Sequence, residues 1–188
     1  MPEFSESEGS KKNTWLFKQF EKGNIQPGDK RGTETTSIWI QWKKVHNLSE
    51  SISVLPVGFD PSVVLNAPSM AYPVYLNEEP LKLQSKIGEP VIEFDPADDG
   101  IELYGNVVVT TRQFLEENAN LVAEYQKRLS NSWDRVKNKP DSALLAVQEV
   151  YPDVSSEILS KQIERTTEFV FYKTDYAGKI EVSSSGRS

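Results

Sequence analysis

Two short polar clusters in this chain have the residue types to hold a small molecule. Thr33, Glu34, Thr35 and Thr36 precede an apolar repeat at helical spacing. Their hydroxyls, with the free backbone N–H groups of a first helical turn, suit an anionic or polar ligand group. The plainer role is an N-cap, in which a threonine oxygen satisfies a first-turn donor, and the two roles are compatible. Asn77, Glu78 and Glu79 open a second helix at the end of an extended run. There capping and dipole compensation, at about 0.3–1 kcal/mol per charge, compete with a binding role. As binding groups, Asn77 and Glu78 would hydrogen-bond a polar ring or an amine, and a carboxylate favours a neutral or cationic partner over an anion. Tyr72 and Tyr75 are three residues apart, so within one strand they point to opposite faces. One is then expected to pack inward, leaving the other to stack on a ligand.

Other residue groups point away from chemistry. Asp95, Asp98 and Asp99 before Gly100 superficially resemble a calcium loop, but the spacing fails and no bidentate glutamate closes it. A turn fits better. The lone histidine, His46, stands at a helix end, where its charge is favourable. One imidazole excludes any site needing two, and the lack of cysteine excludes thiolate metal sites, disulfides and thiol nucleophiles. Neither a cofactor nor a metal is expected.

The elements that must position these groups are read from periodicity and breakers. Residues 14–20 form a brief amphipathic turn, and residues 23–32, with three glycines and a proline, read as a loop. Ile38, Trp39, Trp42 and Val45 predict a helix over 36–46 whose tryptophans belong to the core. Strands are expected at 52–57, 71–75, 91–94 and 106–111, with helices over 61–66 and 78–87. Beyond residue 113 the pattern is helical only. Leu121, Tyr125, Leu129, Trp133 and Val136 mark a long amphipathic helix ending before Pro140. A second helix follows Pro140, and a third starts near Ser155 or Ser156. This is an α/β half followed by a helical half, and an α/β lobe holds ligands at the carboxyl ends of its strands.

The net charge of −7 opposes a role in binding a phosphate backbone, so nucleic acid is not an expected partner. No run approaches the roughly 18 apolar residues of a membrane span, and direct membrane insertion is not expected. The first residues are polar and lack the apolar centre of a secretory signal.

The ordered series G-T-E-T-T at 32–36, L-P-V-G-F-D-P at 55–61, A-Y-P-V-Y-L-N-E-E-P at 71–80 and L-Y-G-N-V-V-V-T-T at 103–111 resembles one family. It is similar to the ABC-transporter solute-binding proteins of the nitrate/sulfonate/taurine and thiamine-pyrimidine-precursor type. F-L-E-E-N-A-N-L-V at 114–122 and S-W-D-R-V-K-N-K-P at 132–140 continue the likeness into the helical half. The resemblance implies a periplasmic-binding-protein-like type II lobe, a mixed sheet flanked by helices, followed by a helical C-terminal segment. It implies a polar head over 1–22, a solute-binding lobe over 23–111, helices over 112–178 and a tail over 179–188. The family's first lobe has no counterpart in these residues, and neither has the strand usually found between the turn, here Asp29-Lys30-Arg31-Gly32, and the glycine-threonine loop. The implied ligand-binding residues are Thr33, Glu34, Thr35, Tyr75, Asn77 and Glu78. The implied function is capture of a small polar solute, such as an aminopyrimidine or a sulfonate, for a membrane permease in an extracytoplasmic or periplasmic setting. Enzymes of thiamine-pyrimidine synthesis share the fold. They depend on a placed histidine, a pyridoxal-phosphate lysine and a cysteine-rich stretch, so the cysteine-free chain reads as a binder, not an enzyme; the remaining alternative is a truncated remnant with neither activity.

Overall fold

A computed structural model describes residues 9–102, 105–172, 174, 175 and 177, and divides the chain into two compact units, Met1–Tyr104 and Gly105–Ser188. The first unit is α/β. Helix α1 (Gly9–Glu21) is longer than the expected turn, because Leu16, Phe17 and Phe20 make a buried stripe at helical spacing. These three side chains and Leu48 form the core, and Trp39 and Trp42 of α2 (Glu34–Val45) pack against it. The Phe17 and Trp42 rings meet edge to face at 5.2 Å, and those of Phe20 and Trp39 at 5.7 Å. The tryptophans are core residues, as their spacing predicted.

The sheet is small. Strand β1 (Gln26–Asp29) is central, flanked by β2 (Leu55–Pro56) and β3 (Met70–Ala71). Gly28 pairs with Leu55 on one side, and Pro27 pairs with Ala71 on the other. Both pairings are parallel, where a mixed sheet was expected; the α/β class and the flanking helices stand. Strand β1 lies inside the segment expected to be a loop. Its Gly28 explains the disguise. A Cβ there would lie 3.1 Å from Val57 Cγ1 and 3.2 Å from the Ala71 carbonyl oxygen, so a larger residue would have to push the neighbours on both sides back by a few tenths of an ångström.

Two expected strands do not form. Residues 91–94 run without a ladder, and Phe94 instead stacks on Trp15 at 6.4 Å. At 106–111 no strand forms among the described residues, and Val107, Val108 and Val109 are 49, 61 and 84% exposed. Strand propensity rewards a half-buried pleat, which these side chains do not have. Residues 61–66 form a 3-10 turn, and helix α3 spans Glu79–Ile87, with Leu81 and Leu83 buried.

The second unit is helical: α4 (Arg112–Glu117), α5 (Ala119–Asn138), α6 (Pro140–Val150) and α7 (Ser156–Val170). Asn118 divides the expected long helix, and Pro140 opens α6 as proposed from the sequence. Gln148 ties α6 to the start of α7, donating to the Val154 carbonyl and accepting from Ser156 Oγ. Only Leu159 is a buried apolar residue in these helices, while Leu121 and Leu145 stay mostly exposed. No helix among the described residues is long and apolar enough to cross a membrane.

Candidate functional site

Loops leaving the carboxyl ends of all three strands meet at the side chain of Lys30, the residue after β1. Its side chain is 3% exposed, and its Nζ donates to Glu79 Oε1 at 2.7 Å, from the first turn of α3. Around the ammonium stand three rings: Tyr72 at 5.0 Å, Tyr75 at 5.7 Å and Phe59 at 6.0 Å, nitrogen to centroid. Phe59 follows β2, and both tyrosines follow β3, so the one cation joins all three loops. Cation–π attraction and an ion pair together offset the cost of drying a lysine.

The same carboxylate does a second task. Glu79 Oε2 accepts the Tyr75 backbone N–H at 2.7 Å, fixing the turn that carries the Tyr75 ring. Tyr72 donates its hydroxyl to the Gly58 carbonyl at 2.6 Å. Burial, reinforced by the carboxylates of Glu79 and Asp60, pushes the Tyr72 phenol above its usual range, so it remains a donor. The expectation that Tyr72 and Tyr75 face opposite ways is overturned. The strand ends at Ala71, Pro73 lies between the tyrosines, and two-residue alternation no longer applies.

The threonine cluster is inward-facing. Thr33 caps α2 by accepting from the Thr35 N–H at 3.3 Å, and its hydroxyl donates to the Lys30 carbonyl at 2.6 Å. Thr35 and Thr36 donate their hydroxyls to the buried Asp29 carboxylate, each at 3.0 Å. These hydroxyls brace the end of β1, the structural role that is compatible with a binding one. Glu34 opens α2, and its side chain lies outside the described residues. Thr33→Ala is expected to cost about 1 kcal/mol of stability in urea denaturation, the ordinary worth of such a cap. Thr33→Ser should restore most of it, and an unchanged Thr33→Ala midpoint would remove the cap from this account.

Glu78 is the N-cap residue of α3 but makes no side-chain cap bond; it pairs with Lys82 at 2.5 Å on the exposed side. Asn77 is half-buried beside it. Thr33, Thr35 and Tyr75 therefore converge on Lys30 and its strand, and Glu78 turns outward. Sequence reasoning missed Lys30 altogether and gave Glu79 only a capping role. An acid in the first turn of a helix looks like dipole compensation, and its partner stands 49 positions away.

His46 and the acidic turn belong to another cluster. The 3-10 turn Pro96–Asp99 points Asp99 inward, where it accepts from Asn13 Nδ2 at 2.7 Å and Trp42 Nε1 at 2.8 Å. His46 caps α2, with Nε2 3.1 Å from the same carboxylate, out of line for a hydrogen bond, and its ring packs on Phe17. This turn is a clamp between α1 and α2. Among the described residues no group of three or more histidine, aspartate and glutamate side chains could hold a metal ion.

No curated protein matches the chain. The family model described as NMT1/THI5 like matches residues 46–143, just over half of the sequence. The matched stretch includes β2, β3, the three caging rings and Glu79; Lys30 and Thr33 lie before it. The parallel sheet between helices agrees with a periplasmic-binding-protein-like fold, and the family supports a solute-binding role in general. With this match and the ordered motifs from 55 to 140, the chain belongs to the NMT1/THI5-like family.

Proposed function

We propose that the chain is a solute-binding component of an ABC uptake system. It would capture a small polar solute at the loops beyond β1, β2 and β3 and pass it to a membrane permease in an extracytoplasmic setting. The observation that carries this reading is the convergence of those loops on one aromatic and acidic cluster. Ligands of parallel α/β lobes bind where such loops meet. Phe59 and Tyr75 are 74 and 52% exposed, which leaves two aromatic faces for a planar ring or an alkyl group. Asn77, beside Tyr75, adds a polar edge. A thiamine pyrimidine precursor combines a flat ring with an amino group and fits these aromatic walls better than a sulfonate, which has no flat face to stack on them.

The enzyme reading finds less support. Its lone histidine would have to serve the Lys30 cluster, whereas His46 sits against Asp99 and Phe17. Thermal-shift measurements with aminopyrimidines, taurine, alkanesulfonates, nitrate and bicarbonate test the proposal. A concentration-dependent rise in Tm with an aminopyrimidine supports it. A cooperatively melting chain whose Tm moves with none of them overturns it.

A further inference from the structure

The Lys30 cage has the composition of a receptor for an external cation. We propose that it is a site for a small alkylated ammonium group, filled in this structure by the chain's own lysine. The inference rests on the binding reading above and adds to it the charge class of the guest and a built-in competitor. Three rings and one carboxylate are the groups that recognise a cation with few or no N–H bonds, because the ring faces supply charge without accepting conventional hydrogen bonds. A lysine ammonium has three donors. Among the described residues, Lys30 uses one, toward Glu79, and lies among aromatic rings.

The spacing favours a bulkier head. At 5.0, 5.7 and 6.0 Å, the centroids stand in the outer part of the cation–π range of about 6 Å. That leaves room for methyl groups between nitrogen and rings. The Phe59 and Tyr75 walls face solvent, so a guest has a way in, while Lys30 itself is 3% exposed. An external ammonium must displace Lys30, and its apparent affinity is lowered by the fraction of time the cage is vacant.

The test vacates the cage. Lys30→Ala and the wild-type chain are titrated with tetramethylammonium chloride against sodium chloride at matched ionic strength, followed by calorimetry and amide chemical shifts. Saturable binding to Lys30→Ala, about tenfold or more tighter than to wild type, is expected. It should vanish in Lys30→Ala/Glu79→Gln and weaken in Lys30→Ala/Tyr72→Ala. A folded Lys30→Ala chain without saturable binding, or with wild-type affinity, overturns the proposal. If Lys30→Ala does not fold alone, recovery of helical circular dichroism on refolding with tetramethylammonium supports it, and no recovery beyond the sodium control overturns it. Binding by Lys30→Ala in a chain whose wild-type form binds none of the screened solutes would uphold the cage and sink the uptake reading alone.

Discussion

Glu79→Ala is expected to lower the stability of the α/β unit by about 3–5 kcal/mol, the usual result of removing one partner from a buried ion pair. The Lys30 ammonium would remain in a dry site with rings but no counter-charge, its side chain 3% exposed and that of Glu79 10%. The Tyr75 N–H would lose its acceptor in the same step. Glu79→Gln should fall between wild type and alanine, because an amide oxygen can accept one of the two bonds but cannot balance the charge. Urea denaturation followed by tryptophan fluorescence reads the loss, since three of the four tryptophans, Trp15, Trp39 and Trp42, lie in this unit. A Glu79→Ala midpoint within the range of surface substitutions, about 0.5 kcal/mol, would show that the pair does not hold the three loops.

Asp99→Ala is the second large effect, at about 3 kcal/mol. Its carboxylate takes charge-assisted bonds from Asn13 and Trp42, and a third from Ser10 Oγ at 3.2 Å. Asn13 is fully buried, so the loss strands a donor where water cannot replace the acceptor. Asn13 would keep its bond to the Asp95 carbonyl at 2.8 Å, which limits the damage. Asp99→Asn retains one acceptor oxygen and should recover part of the deficit. Near-ultraviolet circular dichroism offers an independent check, because Trp42 loses its fixed indole environment only if the bond is real. Equal stability of Asp99→Ala and wild type would refute the clamp.

The helices were legible because their signals are local. Trp39 and Trp42 at helical spacing, Pro140 before α6 and Ser155 before α7 each act within a turn of their own position. The sheet was not. Gln26-Pro27-Gly28-Asp29 has the composition of a loop, and only the close approach of Val57 and Ala71 to Gly28 shows why a small residue suits a central strand there. The β-branched run at 107–109 misled in the other direction, with strand composition and no face to cover it. At the candidate site, Thr33, Thr35 and Tyr75 were singled out from the sequence, but Lys30 and Glu79, which tie their loops together, were not. Nothing near Lys30 in the sequence says that it is buried. Burial of a lysine follows from Glu79 and three aromatic rings contributed by other loops, and single-chain periodicity contains no such information.

Strands of two to four residues offer very few main-chain bonds with which to resist opening. In larger α/β domains a stiff ladder dictates where the tips sit; here the Lys30–Glu79 link at the rim adds to the few bonds of the ladder. A guest that displaced Lys30 would therefore be expected to change the rigidity of this unit as it bound, a coupling that amide hydrogen exchange would read.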